Sequence, residues 1–184
     1  MNALTISQTE SIPNDYPAVT GLSSAALGVD QNALWQRIEG YVAHRWTARN
    51  VEWIVEGPGE WKPLLIPAAV NQTDVWRNDE WQSVTLKAAP LGGYRLPAGG
   101  PYRIVASVGA GPVAAAVLEA YRRLAEWTAD AENARITWAS HAGAKRAAMN
   151  VDGVSLTMSR DPNFAAHAMQ MSGAADLLRS YRIP

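Results

Sequence analysis

The sequence contains no cysteine, and this absence excludes several kinds of site at once. A chain without cysteine has no disulfide framework, no thiolate zinc site and no cysteine nucleophile. It also has almost no net charge, with 16 basic and 17 acidic residues, which argues against an electrostatic nucleic-acid binder. No apolar run approaches the roughly 18 residues of a membrane-spanning helix. The first residues carry neither a basic nor an apolar leader region, so we expect a soluble globular protein made in the cytoplasm.

Large apolar residues are scarce and unevenly placed. The 184 residues include 32 alanines but only one phenylalanine, and eight tryptophans offset this shortage. Six of them fall between residues 35 and 81: Trp35, Trp46, Trp53, Trp61, Trp76 and Trp81. Each large aromatic side chain can bury on the order of 150–250 Å². We therefore expect a body packed around tryptophan, followed by an alanine-rich C-terminal part with little core of its own.

The composition divides the chain into three parts. Residues 1–20 are polar and contain Pro13 and Pro17, which predicts a loosely ordered N-terminal arm or a short docking segment. Residues 21–130 form the expected core of a helix, a β-rich insertion and a second helix. Residues 131–184 hold only three of the 14 leucines, and we expect an extended C-terminal arm that ends in a short docking helix and a free tail.

Helix signals bound the predicted core. Asp30 is a suitable N-cap for a helix from about Gln31 to Trp46, whose apolar residues recur with helical spacing. A second helix is expected to open at Pro112 and to run to about Ala129.

Between and after these helices the pattern is typical of short strands. Segments 51–55, 61–67, 73–76, 81–86, 92–97 and 101–108 predict an antiparallel sheet or a small sandwich, with residues 77–80 as a four-residue hairpin loop. Segments 136–140 and 153–158 could pair as a further hairpin, and residues 161–162 could start another helix. The predicted fold class is α+β, with helices packed around an inserted antiparallel sheet or small β-sandwich and an extended C-terminal arm.

A glycine-rich turn, VGAGPVA at residues 108–114, matches the spacing of a dinucleotide-binding fingerprint. Its helix N-terminus could present free N–H groups to a pyrophosphate. However, the preceding strands alternate like an antiparallel meander, and too few residues follow for the remaining βαβ units. A tight strand-to-helix turn is therefore the preferred interpretation, and a nucleotide-binding domain using the turn from Gly109 to Ala114 is the less favoured alternative.

Other candidate chemistry is sparse. His44, His141 and His167 fall in separate predicted elements without metal-ligand spacing, and the adjacent Asp79 and Glu80 are expected to be solvated in a turn. The sequence has no G-x-S-x-G nucleophile motif. We therefore expect no catalytic residue, no cofactor and no metal.

Arginines occur in small groups, among them Arg45 with Arg49 and Arg179 with Arg182. The preferred interpretation is a solvated helix face, and the alternative is a patch that binds phosphate or acidic loops. Five residues of the C-terminal segment combine large apolar and guanidinium groups as protein interfaces do: Leu177, Leu178, Arg179, Tyr181 and Arg182. The alternative is that this tail folds back onto its own domain.

Three stretches of sequence, taken in order, carry a family resemblance. A predicted helix closes with RWTAR (45–49), a β-rich middle follows, and PYRIVASVGAGPVAAAVLEAYRRLAEW (101–127) leads through a Gly-Pro turn into a long helix. Over residues 25–130 this order resembles the head–tail connector (adaptor) proteins of long-tailed double-stranded DNA phages. The ending SGAADLLRSYR (172–182) is similar to the closing segment of the variant found in siphophages and gene transfer agents.

This resemblance implies a structural virion protein at the head–tail junction, with no enzymatic activity. Such proteins form a ring, typically of twelve copies, beneath the portal protein and above a stopper or tail-terminator protein. Double-stranded DNA passes through the ring without sequence-specific binding, and no membrane is involved. C-terminal segments of this family reach into clefts of the portal, which implies portal binding by Leu177, Leu178, Arg179, Tyr181 and Arg182.

The chain departs from the family in two respects. Its middle is more strand-rich than the mostly helical members, and Val42, Ala43 and His44 stand where many members have an acidic residue. Another tail-completion or neck protein is therefore a second interpretation.

Overall fold

The computed structural model describes residues 3–137, 146–151, 154–159 and 167–182, with side chains described for 3–132 and 167–182. The chain forms two compact units, each assembled from separate stretches. The sheet unit comprises Met1–Pro17, Glu39–Val113 and Tyr181–Pro184, and the helical unit comprises Ala18–Ile38 and Ala114–Ser180. Helices and an antiparallel sheet are both present, which confirms the predicted α+β class.

The sheet unit is built on six antiparallel strands. They are β1 (Leu4–Glu10), β2 (Arg49–Trp61), β3 (Ala68–Arg77), β4 (Glu80–Ser83), β5 (Lys87–Ala88) and β6 (Tyr94–Val108). Their order across the sheet is β1-β2-β6-β3-β4, and β5 pairs with the first residues of β6.

Alternate residues of the long strands β2 and β6 are buried, as expected for a sheet with one face on a core. The core residues are Val51, Trp53, Val55, Trp61, Leu65, Val75, Leu96, Tyr102, Ile104, Ala106 and Val108. Two of the six tryptophans between residues 35 and 81, Trp53 and Trp61, thus lie in this core, in line with the prediction of a body packed around tryptophan.

Three strand predictions are wrong in detail. Segment 61–67 was expected as a strand, but β2 ends at Trp61, and Ile66 forms only an isolated bridge to His44. Segments 92–97 and 101–108 were expected as separate strands, but they form the single strand β6, whose pairing with β2 shifts register between Gly57 and Gly59. The predicted four-residue loop at 77–80 is a two-residue turn, because Arg77 already pairs with Glu80. Asn78 and Asp79 form this turn with positive φ angles of 52° and 62°, which suits a tight antiparallel hairpin.

The expected loosely ordered N-terminus is instead the edge strand β1, which pairs with β2. Two of its side chains accept hydrogen bonds from buried indoles. The Nε1 of Trp53 donates to Gln8 Oε1 at 2.7 Å, and the Nε1 of Trp61 donates to Thr5 Oγ1 at 2.8 Å. The apolar residues of this strand, Leu4 and Ile6, are exposed, so no apolar face marks the side that meets the sheet.

The helical unit is organised around one long helix, α3 (Ala115–Thr137). The short helices α1 (Ser24–Leu27), α4 (Ala168–Met171) and α5 (Ala174–Leu177) pack against it. Its buried stripe contains Val117, Ala120, Tyr121 and Leu124. A hairpin, β7 (Arg146–Val151) with β8 (Val154–Ser159), follows α3, and a 3₁₀ turn (Arg179–Tyr181) follows α5.

The helix boundaries differ from those predicted. The Oδ1 of Asp30 accepts the N–H groups of Asn32 and Ala33, which confirms the N-cap of α2 (Gln31–Tyr41), but this helix ends before Trp46. Helix α3 begins after Pro112 and extends through residues 136–137, which were expected in a strand. The remaining expected strand residues 138–140 and the expected helix start at 161–162 lie outside the described residues.

Among the helices that the structure describes, none is long and apolar enough to cross a membrane.

Candidate interaction surface

The five residues implied in portal binding occupy very different environments. Arg179 and Arg182 are exposed, Leu177 and Tyr181 are half-buried, and Leu178 is completely buried at the end of α5. A side chain must be accessible in order to anchor a partner. Leu178 therefore stabilises its own unit in this conformation, while the other four present at least part of their surface to solvent.

Tyr181 does not project as a free tail but packs on an aromatic face of the sheet unit. This face consists of Tyr41, His44 and Trp46. The Tyr181 ring lies edge-on to His44 at 5.8 Å and to Trp46 at 5.7 Å between centroids. His44 and Trp46 are themselves 4.9 Å apart. For Tyr181 the structure therefore agrees with the alternative interpretation, in which the tail folds back onto its own chain.

Main-chain and cationic contacts extend this packing to the next residue. The N–H of Ala43 donates to the carbonyl oxygen of Tyr181 at 3.3 Å. The guanidinium of Arg182 lies over the ring of Tyr41, 4.8 Å from its centroid, which is a cation–π arrangement. The dipeptide formed by Tyr181 and Arg182 is thus held on one face by ring, main-chain and cation–π contacts.

The aromatic face exists because the chain leaves the helix at Tyr41 and becomes extended. Ile66 donates its N–H to the carbonyl of Ala43 and accepts the N–H of Arg45, forming an isolated parallel bridge around His44. His44 and Trp46 therefore follow extended geometry, in which alternate side chains share a side. The sequence placed Trp46 on the helical stripe, and helical periodicity could not reveal this bridge to a residue about 20 positions away.

Arg45 stabilises the helix end that precedes this face. Its Nη1 donates to the carbonyl oxygens of Glu39 at 2.8 Å and Val42 at 3.0 Å, which otherwise lack helical partners. Its Nε donates to Glu10 of β1 at 2.7 Å. Arg45 thereby connects the end of α2 to the N-terminal strand.

Arg49 completes a buried ionic cluster with Arg45, Glu10 and Glu39. It makes two bonds to Glu39, of 2.7 and 2.8 Å, and one of 3.0 Å to Glu10. Burial opposes the charged form, but the hydrogen bonds and charge of Glu39, with the charge of Glu10, outweigh it and raise the pKa of Arg49. The expected solvated helix face is therefore wrong for Arg45 and Arg49, whose side chains are only 9% and 4% exposed.

His44 adds a titratable group to the aromatic face. Burial, and then the positive charge of Arg45, lower the pKa of His44 from its ordinary value of 6.5. The unfolded chain therefore binds this proton more readily than the folded chain does. The contribution of His44 to stability is complete above about pH 6.5 and is lost as the pH falls below that value.

We expect the free energy of unfolding to decrease between about pH 7.5 and about pH 5.5, and to decrease less in the variant His44→Gln. Urea unfolding at the two pH values measures both proteins. Carboxyl groups titrate alike in both, so the difference between the proteins isolates His44. An equal decrease in the two proteins would contradict the assigned environment of His44.

The glycine-rich turn has a packing reason for its first glycine. Gly109 has a φ of 81°, and a Cβ there would lie 2.3 Å from the carbonyl oxygen of Thr47. Its N–H donates to the carbonyl of Pro67 at 3.0 Å. Close approach of backbone to backbone thus accounts for Gly109 without a nucleotide.

A second exposed aromatic group, which the sequence did not single out, lies on the β3–β4 hairpin. Trp76 is 40% exposed and its ring is 5.2 Å from that of Trp81. Arg103 stacks on Trp81 at 4.9 Å and donates to the buried Asp74 through Nε and Nη2. The cross-strand pairing of Trp76 with Trp81 was available as a signal in the predicted hairpin.

Neither of the other two histidines forms a site in the described structure. His167 is exposed at the start of α4, and His141 lies outside the described residues. In the part of the chain whose side chains are described, no three His, Asp or Glu residues gather as metal ligands. Comparisons with protein-family models, curated proteins and solved structures give no match for this chain.

Proposed function

We propose that this protein is a head–tail connector of a long-tailed double-stranded DNA phage. In this role twelve copies form a ring beneath the portal protein, extend the DNA channel, and offer a lower surface to a stopper or tail-terminator protein. The protein is made in the host cytoplasm and acts in the virion as a structural component without catalysis.

One observation carries the proposal, namely the order of elements along the chain. Helix α2 is followed by the inserted strands β2 to β6, and a turn containing Gly111 and Pro112 then leads into α3. This is the order on which the sequence resemblance rests. The fold class alone would not support a connector, because unrelated functions share α+β architectures.

The charge of the chain is compatible with a channel wall. A ring that lets DNA slide must avoid strong attraction to phosphate, since each neutralised phosphate adds counterion-release energy to binding. The formal net charge of −1 meets this condition.

The proposed portal contact is made by the accessible side chains of residues 177–182. Arg179 and Arg182 are exposed, and Leu177 and Tyr181 are half-buried beside them in sequence. Aromatic and arginine side chains are the groups that interface centres enrich. Leu178 is excluded from this contact while it remains buried.

The test is co-expression of the chain with the portal protein encoded in the same genome, followed by electron microscopy of the particles. We expect a twelve-fold ring on the lower face of the portal. Binding to tail proteins alone would instead support another tail-completion or neck protein and would contradict the connector role.

A point variant tests the docking residues without disturbing the buried Leu178. The double variant Arg179→Ala/Arg182→Ala should lose about 1–4 kcal/mol of portal binding, because arginine anchors at interface centres carry energies of that size. The matched control is Arg77→Ala/Arg95→Ala, which removes two exposed arginines from the sheet unit. Binding is measured by co-purification and calorimetry, and folding by the thermal unfolding midpoint. Equal binding of both variants would exclude the C-terminal segment as the anchor.

A further inference from the structure

The dipeptide of Tyr181 and Arg182 already has a partner within its own chain. Tyr181 contacts His44 and Trp46, and Arg182 contacts Tyr41, so these ring contacts all fall on the aromatic face. A tyrosine ring that is packed against His44 and Trp46 cannot insert into a cleft of a second protein at the same time.

We propose that the aromatic face holds the dipeptide of Tyr181 and Arg182 in cis, and that the portal protein must compete for the same two side chains in order to dock. This inference rests on the proposed portal contact. The aromatic face is thus a binding surface for a tyrosine–arginine segment, occupied by residues 181–182 of the same chain before assembly.

The geometry allows release at small structural cost. The dipeptide follows the buried Leu178, which packs independently of the aromatic face, so its departure leaves the packing of Leu178 in place. We call the interaction between the aromatic face and the dipeptide the hold. It is modest, since its described contacts are two edge-on ring contacts, one cation–π contact and one hydrogen bond of 3.3 Å. Contacts of these kinds are individually weak, so a larger interface with the portal can replace them.

The hold lowers the apparent affinity for the portal. A protein whose binding-competent state is only a fraction of the population binds more weakly by that fraction. A change on the aromatic face that weakens the hold, without touching Tyr181 or Arg182, should therefore strengthen docking. A dipeptide that served only to stabilise the fold would show no such effect.

Amide hydrogen exchange of Ala43 reports the hold directly, because its N–H donates to the carbonyl of Tyr181. We expect this amide to be protected in the free chain and to exchange faster when the purified portal is bound. Portal binding with Ala43 still protected would overturn the inference and leave the connector role intact. Failure of the portal to bind at all would overturn both.

The variant His44→Ala removes one ring from the aromatic face and leaves the dipeptide unchanged. We expect it to bind the portal about two- to tenfold more tightly than the natural chain, the range that one aromatic contact supplies. His167→Ala is the matched control, because His167 is exposed on the helical unit, and its affinity should not change. If His44→Ala does not fold, Tyr41→Leu removes the cation–π contact instead. Unchanged or weaker binding by the folded variant overturns the inference.

Discussion

Replacing Arg49 with methionine should destabilise the protein by about 3–5 kcal/mol, because it leaves a buried carboxylate without its partner. Glu39 is only 4% exposed and receives two hydrogen bonds from Arg49. Methionine retains most of the apolar stem but donates no hydrogen bond. The measurement is urea unfolding at neutral pH, followed by the fluorescence of the tryptophans.

The double variant Arg49→Met/Glu39→Leu is the control that separates an unpaired charge from lost packing. When both charged groups are replaced by apolar groups of similar size, a buried pair often costs little or nothing. We expect the double variant to recover most of the lost stability, leaving the share that Glu10 contributes through its 3.0 Å contact with Arg49. Losses that simply add in the double variant would contradict coupling between Glu39 and Arg49.

Replacing both indole acceptors of β1, in the variant Thr5→Val/Gln8→Leu, should cost about 2–6 kcal/mol. Each buried donor left without a partner costs about 1–3 kcal/mol, and the substitutions keep the strand while removing both acceptors. Trp53 is completely buried and Trp61 is 4% exposed, so little water can replace the lost oxygens. Urea unfolding with an unchanged m value would show that the native and unfolded states otherwise remain the same.

The matched control changes the outer side of the same strand. Leu4 and Ile6 are 64% and 59% exposed, and Leu4→Ser/Ile6→Ser should alter stability by no more than about 0.5 kcal/mol. If the two double variants were equally stable, β1 would be an accessory arm, as the polar N-terminal sequence suggests. The structure predicts instead that β1 is part of the core unit.

Local signals account for the elements that were predicted well. Asp30 caps α2 because a carboxylate can reach the free N–H groups of the first turn without help from distant residues. Val51, Trp53 and Val55 alternate with polar or less buried residues, which predicts that one face of β2 packs on a core, whichever strands pair with it. The stripe of α3 follows from helical spacing in the same way.

Distant partners explain the elements that were missed. Trp46 left the helical stripe because residues 43–45 pair with Ile66, and β1 formed because Thr5 and Gln8 meet indoles about 50 residues away. Neither of these long-range contacts affects the local composition, so no periodicity or turn motif in the sequence could predict it. The same holds for the candidate site, where the sequence supplied Tyr181 and Arg182 but not the face on which they lie.

The sequence by itself determined the α+β class and the concentration of tryptophan between residues 35 and 81. These follow from composition and short-range pattern, which act through hydrophobic burial and backbone geometry. Only the tertiary structure decided that Arg45 and Arg49 are buried in ion pairs, that Leu178 is inaccessible and that Tyr181 packs on His44 and Trp46. Each of these features depends on which groups the fold brings within a few ångströms of one another. Charge pairing and burial are set by those distances and not by residue type alone.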